Sequence, residues 1–404
     1  MLNYLKVRVG YGTSAGYPSP YSTRGTLDTY TKLFQTASGT IMNSNAVSNF
    51  YANPNLKPEI HKELELGIEG RFWKNRIGID VSLYNKDSED LIIDLELDPS
   101  TGYTSSTVNS AAINNKGIEA IVNVIPVQTQ NFTWDISANF TLNRSEVTKI
   151  ADGIDQVLIA GASFLGNFAK PGLPYNMIWG APILRYYTDP NTTVEDIPYD
   201  QRKNYSPVTS SAGIYQYAGS DGFIGDPNPD YVVNVTNTIS YKWITLRAQV
   251  DHTVGGDIWG GTASTLTGRG ILEYTGFDRF VPVVVSGVDK DGNPNTVQVT
   301  PNAHYWRDTG VWYDENRIFD ASTIRLREIS LSLVAPKSWL NGTPFGRASL
   351  TISGQNLWHL AYNFPSSSNM DPEVLSLGVG NGKGFDRTTG PTSKKYGATL
   401  SFTF

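Results

Sequence analysis

Long runs in which polar and apolar residues strictly alternate are the feature that most limits the fold of this chain. From Phe132 to Asn143, every even position is apolar and every odd position is polar. Residues 63–72, 76–84, 244–251 and 395–404 follow a similar pattern. Successive side chains of a β-strand point to opposite faces, so the pattern predicts strands with one apolar and one polar face. The longer runs approach twice the usual strand length of about 5–6 residues and match the length that a tilted strand needs to cross a bilayer.

The connections between these runs also alternate in length. Three of them are tight turns, at 73–76, 126–131 and 241–243. The others are long polar loops, roughly at 13–58, 95–112, 189–229, 261–316 and 362–392. Short turns at one rim and long loops at the other are typical of outer-membrane barrels. We therefore predict an all-β fold, an antiparallel transmembrane β-barrel with short periplasmic turns and long extracellular loops.

The direction in which each strand runs predicts the number of strands. The segments that alternate correctly, counted back from the last strand, lie near 394–404, 347–361, 317–334, 243–259, 230–241 and 174–187. The segment 131–147 then points the wrong way unless one more strand, at 154–161, lies in between. This gives about twelve strands, which form an open sheet with two free edges unless further strands close it. A fragment of a larger barrel is favoured over a twelve-stranded barrel that closes on itself.

The apolar face of one strand moves by one position along its length. Ile324 and Leu326 share a face, but Ile329, Leu331 and Leu333 continue it with the opposite parity. One extra residue restores the register of such a strand, so we predict a β-bulge at Arg327-Glu328.

Composition and charge exclude several classes of protein. The formal net charge is −6, which argues against nucleic-acid binding, because that needs a basic surface. The chain has no cysteine, so disulfides and thiolate sites are excluded. No apolar run reaches the roughly 18–20 residues of a membrane-spanning helix. The first residues do not form a signal peptide, so we expect a protein of the cell envelope to begin upstream of Met1.

The histidines and one acidic segment give no sign of a metal site. The four histidines, His61, His252, His304 and His359, have no metal-site spacing. Residues 289–295 resemble a calcium loop but carry Pro294 where a glycine is needed, so we interpret them as a hairpin turn. We therefore predict no metal and no cofactor.

The acidic groups are also interpreted without catalysis. Asp221, Asp226 and Asp230 lie in a Gly- and Pro-rich turn, where aspartate commonly caps backbone groups. Residues 63, 65 and 69 are glutamates on one strand face, which in a barrel face water in the lumen. The sequence also has no nucleophile or phosphate-loop motif, so we predict no catalytic residue and no enzyme.

Aromatic residues in two long loops are the candidates for ligand contact. Trp306, Trp312 and Tyr313 lie close together in one loop, and Tyr362 and Phe364 open the last one. Such rings stack on sugars or on peptide side chains. The alternative is that they anchor the loops at the membrane rim.

Several motifs, in order along the chain, resemble the C-terminal part of SusC/RagA-type TonB-linked outer-membrane proteins. They are the segments 53–59 with 63–67, 115–119, 224–230 with 255–259, 321–331, 336–340, 353–357 and 371–373. The aromatic C-terminus, with Tyr396, Leu400, Phe402 and Phe404, is similar to the signal read by the barrel-assembly machinery. The resemblance implies the bacterial outer membrane and a 22-stranded barrel, of which residues 1–404 are the second half. A signal peptide, plug domain and TonB box are then expected outside this sequence.

The same resemblance implies import of oligosaccharides or peptides. The expected partners are a SusD-like surface lipoprotein and the TonB–ExbB–ExbD complex, the latter acting through the missing N-terminal region. Two alternatives remain: a soluble secreted β-sandwich or propeller that binds glycans, and a TonB-dependent receptor for siderophores or cobalamin.

Overall fold

The computed structural model shows an all-β protein whose strands fall into one large sheet and several small ones. The structure describes residues 2–404 except 36, 40, 190, 302–312, 366, 367, 369, 375, 378–380 and 391. In chain order the strands and the α-helix are β1 (Leu2–Gly16), β2 (Leu27–Gln35), β3 (Ile41–Val47), β4 (Phe50–Tyr51), β5 (Glu59–Phe72), β6 (Ile77–Glu96), β7 (Ser105–Gln128), β8 (Phe132–Lys149), β9 (Val157–Ala162), β10 (Leu165–Ala169), β11 (Met177–Gly180), β12 (Gly222–Gly225), β13 (Tyr231–Tyr241), β14 (Ile244–Val254), β15 (Asp257–Gly260), α1 (Gly261–Gly268), β16 (Val283–Val284), β17 (Gln298–Val299), β18 (Ile318–Asp320), β19 (Thr323–Val334), β20 (Arg347–Leu360), β21 (Phe385–Asp386) and β22 (Lys395–Thr403). Short 3-10 helices lie at Pro99–Thr101, Arg202–Asn204, Glu273–Thr275, Asp314–Arg317 and Lys337–Trp339. In this part of the chain no helix combines the length and the apolar character that a bilayer crossing requires.

The large sheet, here called the barrel sheet, contains the long alternating runs. Its order is β1-β5-β6-β7-β8-β13-β14-β19-β20-β22, and β4 adds to β7. Neighbours along this path pair antiparallel, whereas β4 and β7 pair parallel. The register aligns apolar residues in rows across the strands, for example Leu66, Leu83, Ile118 and Leu142, or Ile239, Leu246, Leu331 and Ile352.

The apolar face of the barrel sheet is open, which contradicts a sandwich with a dry interior. Leu246 is 39% exposed and Leu400 is 62% exposed, although both belong to the apolar rows. Ile136 is only partly buried. A sheet packed on a second sheet would enclose such residues in its core. This arrangement is the one expected of a sheet whose apolar face is in contact with lipid.

The turns and loops lie at opposite ends, as the sequence predicts. β5 and β6 are joined by a turn in which Trp73, Lys74 and Asn75 all have positive φ angles. Only Lys242 and Trp243 separate β13 from β14. At the other end, single connections span residues 17–58, 150–230, 255–322 and 361–394. The predicted loop at 95–112 is shorter than expected, because β6 and β7 remain paired as far as Glu96 and Ser105.

The predicted β-bulge is confirmed. The register of β19 shifts between Leu326 and Glu328 against both neighbours. Arg327 is the extra residue against β14, whereas against β20 it lies opposite two residues, Asn356 and Leu357. Before the bulge Leu326 lies on the apolar face, and after it Ile329 does. The bulge therefore adds one residue to the polar face, where Arg327 and Glu328 follow each other.

Two segments assigned to the barrel by the strand count lie elsewhere. The segments 154–161 and 174–187 contribute β9 and β11 to a separate four-stranded sheet, ordered β12-β11-β10-β9. β8 pairs directly with β13, so the direction of the strands is correct without either segment. β9 and β11 have only 6 and 4 residues, too few to cross a bilayer, for which about 9–11 are needed.

The hydrophobic core of the protein lies in these loop elements. The four-stranded sheet packs on a three-stranded sheet, β18-β15-β21, through Leu165, Ile178, Ile224, Trp259 and Phe385. We call these two sheets, together with α1, the loop body. It is joined to the barrel sheet through a cluster that includes Val147 and Ile150, with Val157 and Ala169 of the loop body.

Candidate functional site

The polar face of β5–β8 carries a shallow acidic pocket of about 450 Å3. Glu63 and Glu65 of β5 and Glu119 of β7 line it, and Lys86 is the cation among its lining residues. This agrees with the interpretation of the strand glutamates as groups that face water. The pocket gives this part of the inner wall a negative surface.

An ion-pair network covers the polar face nearer the short-turn end. Arg8 of β1 forms a two-pronged interaction with Asp80 of β6, with Nη2 2.6 Å from Oδ1 and Nη1 3.1 Å from Oδ2. Nη2 of Arg8 also donates to Ser82, whose hydroxyl donates to Glu65. β5 lies between β1 and β6, so the contact ties three adjacent strands together across their polar side.

A glycine in the 115–119 motif has a clear structural role. The ring of Tyr84 lies against Gly117, where an added Cβ would come within 2.3 Å of the ring and 2.5 Å of the Leu142 carbonyl oxygen. The Tyr84 hydroxyl donates to Asn143 Oδ1 at 3.0 Å. Only glycine leaves room for the ring to lie flat across the strand, so this position shapes the acidic pocket.

The last long loop is held to the barrel sheet by a buried ion pair. The side chains of Arg325 and Asp371 are 1% and 0% exposed, and the guanidinium donates to the carboxylate. Thr392 donates its hydroxyl to the same carboxylate and also accepts from Arg325 Nη1 at 3.1 Å. Burial by itself raises the pKa of Asp371, but the hydrogen bonds from Thr392 and Arg325 hold it below its usual range.

A second arginine on the same strand makes a parallel attachment. Arg327, the bulged residue, donates to Asp251 of β14 at 2.5 Å and to Glu373 at 2.5 and 3.0 Å. The sequence motifs 321–331 and 371–373 therefore meet in space. Sequence reasoning noted both motifs but missed the contact, although two inward arginines at i and i+2 and two carboxylates at i and i+2 were the available signal.

The loop body is tied internally by buried polar groups. Asn167 is fully buried, and its side chain donates to the Asn176 and Lys383 carbonyls and accepts from the Lys383 amide at 2.9 Å. Asp386 accepts from the amide and the hydroxyl of Thr262 at the start of α1. The chain around residues 383–386 is thus an integral part of the loop body.

Of the three aspartates in the turn at 221–230, Asp226 caps a backbone group, as predicted, whereas Asp221 and Asp230 contact side chains. Asp226 accepts from the Asn228 amide at 2.9 Å, and Asp257 accepts from the Asp226 amide at 2.9 Å. Burial raises the pKa of Asp257 to about 6 and also raises the pKa of Asp226. Asp230 pairs with Arg144, and Asp221 accepts from the Tyr217 hydroxyl.

His61 and the loop at 289–295 form ordinary local contacts. His61 Nδ1 lies 2.9 Å from the Ser88 hydroxyl. Asp289 Oδ1 accepts from the amides of Asp291 and Asn293, which is the geometry of a turn. Within the described ranges no three His, Asp or Glu side chains converge as metal ligands, and His304 falls outside those ranges.

The three ligand candidates that the structure describes, Tyr313, Tyr362 and Phe364, do not form one surface. Tyr313 donates to the Tyr215 carbonyl at 3.1 Å and stacks on Tyr217. Tyr362 is 41% exposed and its hydroxyl lies 3.1 Å from His252 Nε2. Phe364 is 6% exposed and packs on Phe319 in a core cluster, so packing accounts for its ring. Trp306 and Trp312 lie outside the described residues.

The C-terminal aromatic residues lie on the last strand of the barrel sheet. Tyr396, Leu400 and Phe402 are on β22, opposite Gly354, Leu350 and Ala348 of β20. All three are well exposed, as is Phe404 just beyond the strand. Their recognition by the barrel-assembly machinery stays a prediction.

Comparison with known proteins agrees with this architecture. Residues 2–251, more than half of the chain, match the family model described as TonB dependent receptor-like, beta-barrel. TonB-dependent receptor P3 of Formosa agariphila is 27% identical over 387 residues, covering 91% of this chain and 36% of that protein. TonB-dependent receptor SusC of Bacteroides thetaiotaomicron is 25% identical over 228 residues, covering 53% of this chain and 22% of SusC.

A solved structure shows the same fold. A chain of the RagAB peptide transporter superposes with a TM-score of 0.69 at 19% identity, covering all of this chain and 41% of that one. The chain thus spans well under half the length of the relatives that it matches. These relatives are receptors and transporters rather than enzymes. The chain belongs to the TonB-dependent receptor-like β-barrel family of the bacterial outer membrane.

Proposed function

We propose that this chain is the C-terminal barrel half of a SusC/RagA-type importer that takes up oligosaccharides or peptides across the outer membrane. The single observation that supports this most is the two-sided barrel sheet with a folded loop body attached to its polar side. A passage through a bilayer requires an apolar face that suits lipid and a hydrogen-bonded polar face that suits water. Arg325 and Arg327 fix the last long loop, which carries β21 of the loop body. The loop body thus presents a structured surface at the long-loop end, where cargo would arrive.

The proposal includes partners that the relatives' family uses. A SusD-like surface lipoprotein would cover the long-loop end, and the TonB–ExbB–ExbD complex would supply energy through a plug domain encoded with this barrel half. The long loops suit such a lid, because they form a folded body rather than separate strands of polypeptide.

The test is uptake by the source bacterium with and without the gene that encodes this chain. Cells are given radiolabelled oligosaccharides, a labelled peptide digest, or a labelled ferric siderophore and cobalamin under limitation. Loss of oligosaccharide or peptide uptake in the deletion strain, restored by the wild-type gene, is the expected result. Loss of only siderophore or cobalamin uptake would favour the alternative cargo class, and unchanged uptake of all four would overturn import by this protein.

The exposed apolar rows argue against the alternative of a soluble glycan-binding module. Its sheets would have to bury the apolar rows, and these rows are exposed. Membership of an outer-membrane barrel family points the same way.

A further inference from the structure

The short-turn end of the barrel sheet carries basic side chains without acidic ones. The turns that join neighbouring strands there span residues 73–76, 129–131, 242–243 and 335–346. They contain no aspartate and no glutamate, but they do contain Lys74, Arg76, Lys242 and Lys337, all of them exposed. The long connections 150–230 and 255–322 at the other end contain more acidic than basic residues. The positive charge is therefore a property of the short-turn end and not of the chain, whose net charge is −6.

These basic side chains differ from the cations inside the sheet in having no carboxylate partner. Lys62 pairs with Glu89 at 2.7 Å, and Arg71 pairs with Glu69 at 2.9 Å. Within the described residues, none of the four basic residues of the turns forms such an ion pair. Their charge is thus available to a partner outside this chain.

The contact between Tyr241 and Lys242 places one of these cations on the lipid side of the sheet. Tyr241 lies two residues beyond Ile239 on β13, so its ring belongs to the same apolar face. The Lys242 ammonium lies over that ring, with Nζ 5.4 Å from the ring centroid. The charge therefore lies beside the lipid-facing surface, at the end where the turn meets water.

Two tryptophans join this turn to the next one. Trp243 packs against Trp339 with ring centroids 5.6 Å apart, and the Trp243 carbonyl accepts from the Val334 amide at 2.9 Å. Trp339 ends the short 3-10 helix that Lys337 begins, and its side chain is 65% exposed. We call these five side chains the rim cluster: Tyr241, Lys242, Trp243, Lys337 and Trp339.

The rim cluster has the chemistry of a membrane interface. Trp and Tyr rings concentrate at the level of lipid headgroups, and a lysine there keeps its stem on apolar surface and its ammonium in water. Basic clusters at this level attract anionic lipids. The apolar row that contains Ile239 and Leu331 continues from the cluster toward the middle of the sheet and offers a surface for acyl chains. A free phosphate ion would use the lysines but would leave the rings and this row uncovered.

We propose that the rim cluster binds an anionic phospholipid of the inner leaflet of the outer membrane. The ammonium groups of Lys242 and Lys337 neutralise the headgroup, the indole N–H groups of Trp243 and Trp339 donate to its oxygens, and the acyl chains lie along the apolar row. The short turns of such barrels lie on the periplasmic side, where this leaflet is. Such binding requires only that the barrel spans the outer membrane, and it does not depend on the cargo that is imported.

The test uses the complete receptor that contains this chain, reconstituted into phosphatidylethanolamine vesicles. The vesicles contain a trace of phosphatidylglycerol that carries a photoactivatable diazirine in its acyl chain close to the glycerol. After illumination, the labelled residues are identified by mass spectrometry. We expect labelling around residues 239–246 and 331–339, and we expect added unlabelled phosphatidylglycerol to compete with it while further phosphatidylethanolamine does not.

Lys242→Gln and Lys337→Gln test the assignment of the two lysines. Each substitution should raise the amount of phosphatidylglycerol that halves the labelling about fivefold, the usual contribution of one lysine near an anionic lipid surface. Arg347→Gln is the matched control. Arg347 is exposed and basic at the same end, but Ala348 beside it pairs with Phe402 in the apolar rows, so Arg347 belongs to the polar face. Its replacement should leave the competition unchanged.

Three results would overturn the assignment. They are equal competition by the two lipids, a competition curve that both lysine variants leave unchanged, and an Arg347→Gln effect as large as that of the lysine variants. If the lysine variants do not reach the membrane, salt decides the matter with the wild-type receptor. Added salt should weaken the advantage of phosphatidylglycerol, because ions screen exposed charges, and an advantage that salt leaves unchanged would contradict an electrostatic site.

Discussion

The barrel sheet and the loop body are both built of β-strands, but the barrel sheet exposes its apolar side chains and the loop body buries them. Apart from the two-residue β4, the barrel sheet has strands of 9–24 residues, and it exposes its apolar side because its hydrophobic solvent is lipid. The loop body has strands of 2–6 residues and buries its apolar side in a core around Ile178 and Trp259. Water surrounds the loop body, so it must fold like a small soluble domain. The comparison shows that strand length and the place where apolar side chains point distinguish the two regions, although both are antiparallel in most of their pairs.

The largest effect is expected from a variant that breaks the attachment of the last long loop, residues 361–394, to the barrel sheet. Asp371→Ala removes the fully buried carboxylate to which the Arg325 guanidinium donates, and breaking a buried pair in this way typically costs about 3–5 kcal/mol. The half-exposed Glu373, 3.3 Å from Nε, remains as the other carboxylate partner of Arg325. We expect residues 361–394 to lose hydrogen-exchange protection while β5–β8 keep theirs. Glu373→Ala is the comparison variant: that side chain is 35% exposed and Arg325 keeps its buried partner Asp371, so its loss should cost less. Equal effects of the two variants would contradict a buried anchor.

The next effect tests the orientation of the barrel sheet. Leu331→Lys puts a charge on the face assigned to lipid, which costs about 2–4 kcal/mol near the bilayer midplane. Ser330→Lys, one residue away on the polar face, should be nearly neutral. The measurement is the folded fraction in lipid vesicles over a urea series. A larger effect at Ser330 would reverse the assignment of the two faces.

In the loop body we expect stability to change between about pH 4 and pH 6. Burial raises the pKa of Asp257 to about 6 in the folded state, so the folded protein binds this proton more tightly than the unfolded chain does. The contribution to stability is therefore greatest below about pH 4, falls as the pH rises toward 6, and is constant above that. The difference corresponds to about 3 kcal/mol.

Asp257→Asn removes this pH-dependent loss of stability, and the asparagine side-chain oxygen can still accept the hydrogen bond from the Asp226 amide. Hydrogen exchange of residues 222–230 at pH 5 and pH 7 measures the change. We expect the wild-type turn to be less protected at pH 7 after correction for intrinsic exchange rates, and the variant to show no such difference. A variant that keeps the wild-type pH dependence would assign it to another group, such as Asp226.

The smallest expected effect concerns the acidic pocket. Gly117→Ala places a methyl group against the Tyr84 ring and the Leu142 carbonyl, which overpacks the wall at a cost of about 1–3 kcal/mol. Adding Tyr84→Ala should restore only part of the lost free energy of unfolding, because the clash between the new methyl group and the Leu142 carbonyl remains. Urea unfolding in vesicles measures both variants, and full recovery would show that the ring alone sets the requirement for glycine. Gly78→Ala is the control, since its nearest neighbour would be 3.8 Å away.

The sequence predicted the barrel sheet better than the loop body for a physical reason. Alternation over eight or more residues favours one interpretation, so the strands around residues 132–143 and 244–251 were predicted correctly, as was the bulge at Arg327. The short segments 154–161 and 174–187 were placed in the wrong sheet, because a few apolar residues are compatible with either region. Strand direction alone did not reveal that β8 and β13 are neighbours across a connection of residues 150–230.

The sequence by itself determined the fold class, the two faces of the barrel sheet and the end at which the long loops lie. These follow from side-chain periodicity, which is local along the chain. Only the tertiary structure showed that Arg325 and Arg327 meet Asp371 and Glu373, that Phe364 is a core residue, and that Trp243 packs against Trp339. Those features depend on contacts between residues far apart in the chain, and no local pattern encodes which loop folds back onto which strand.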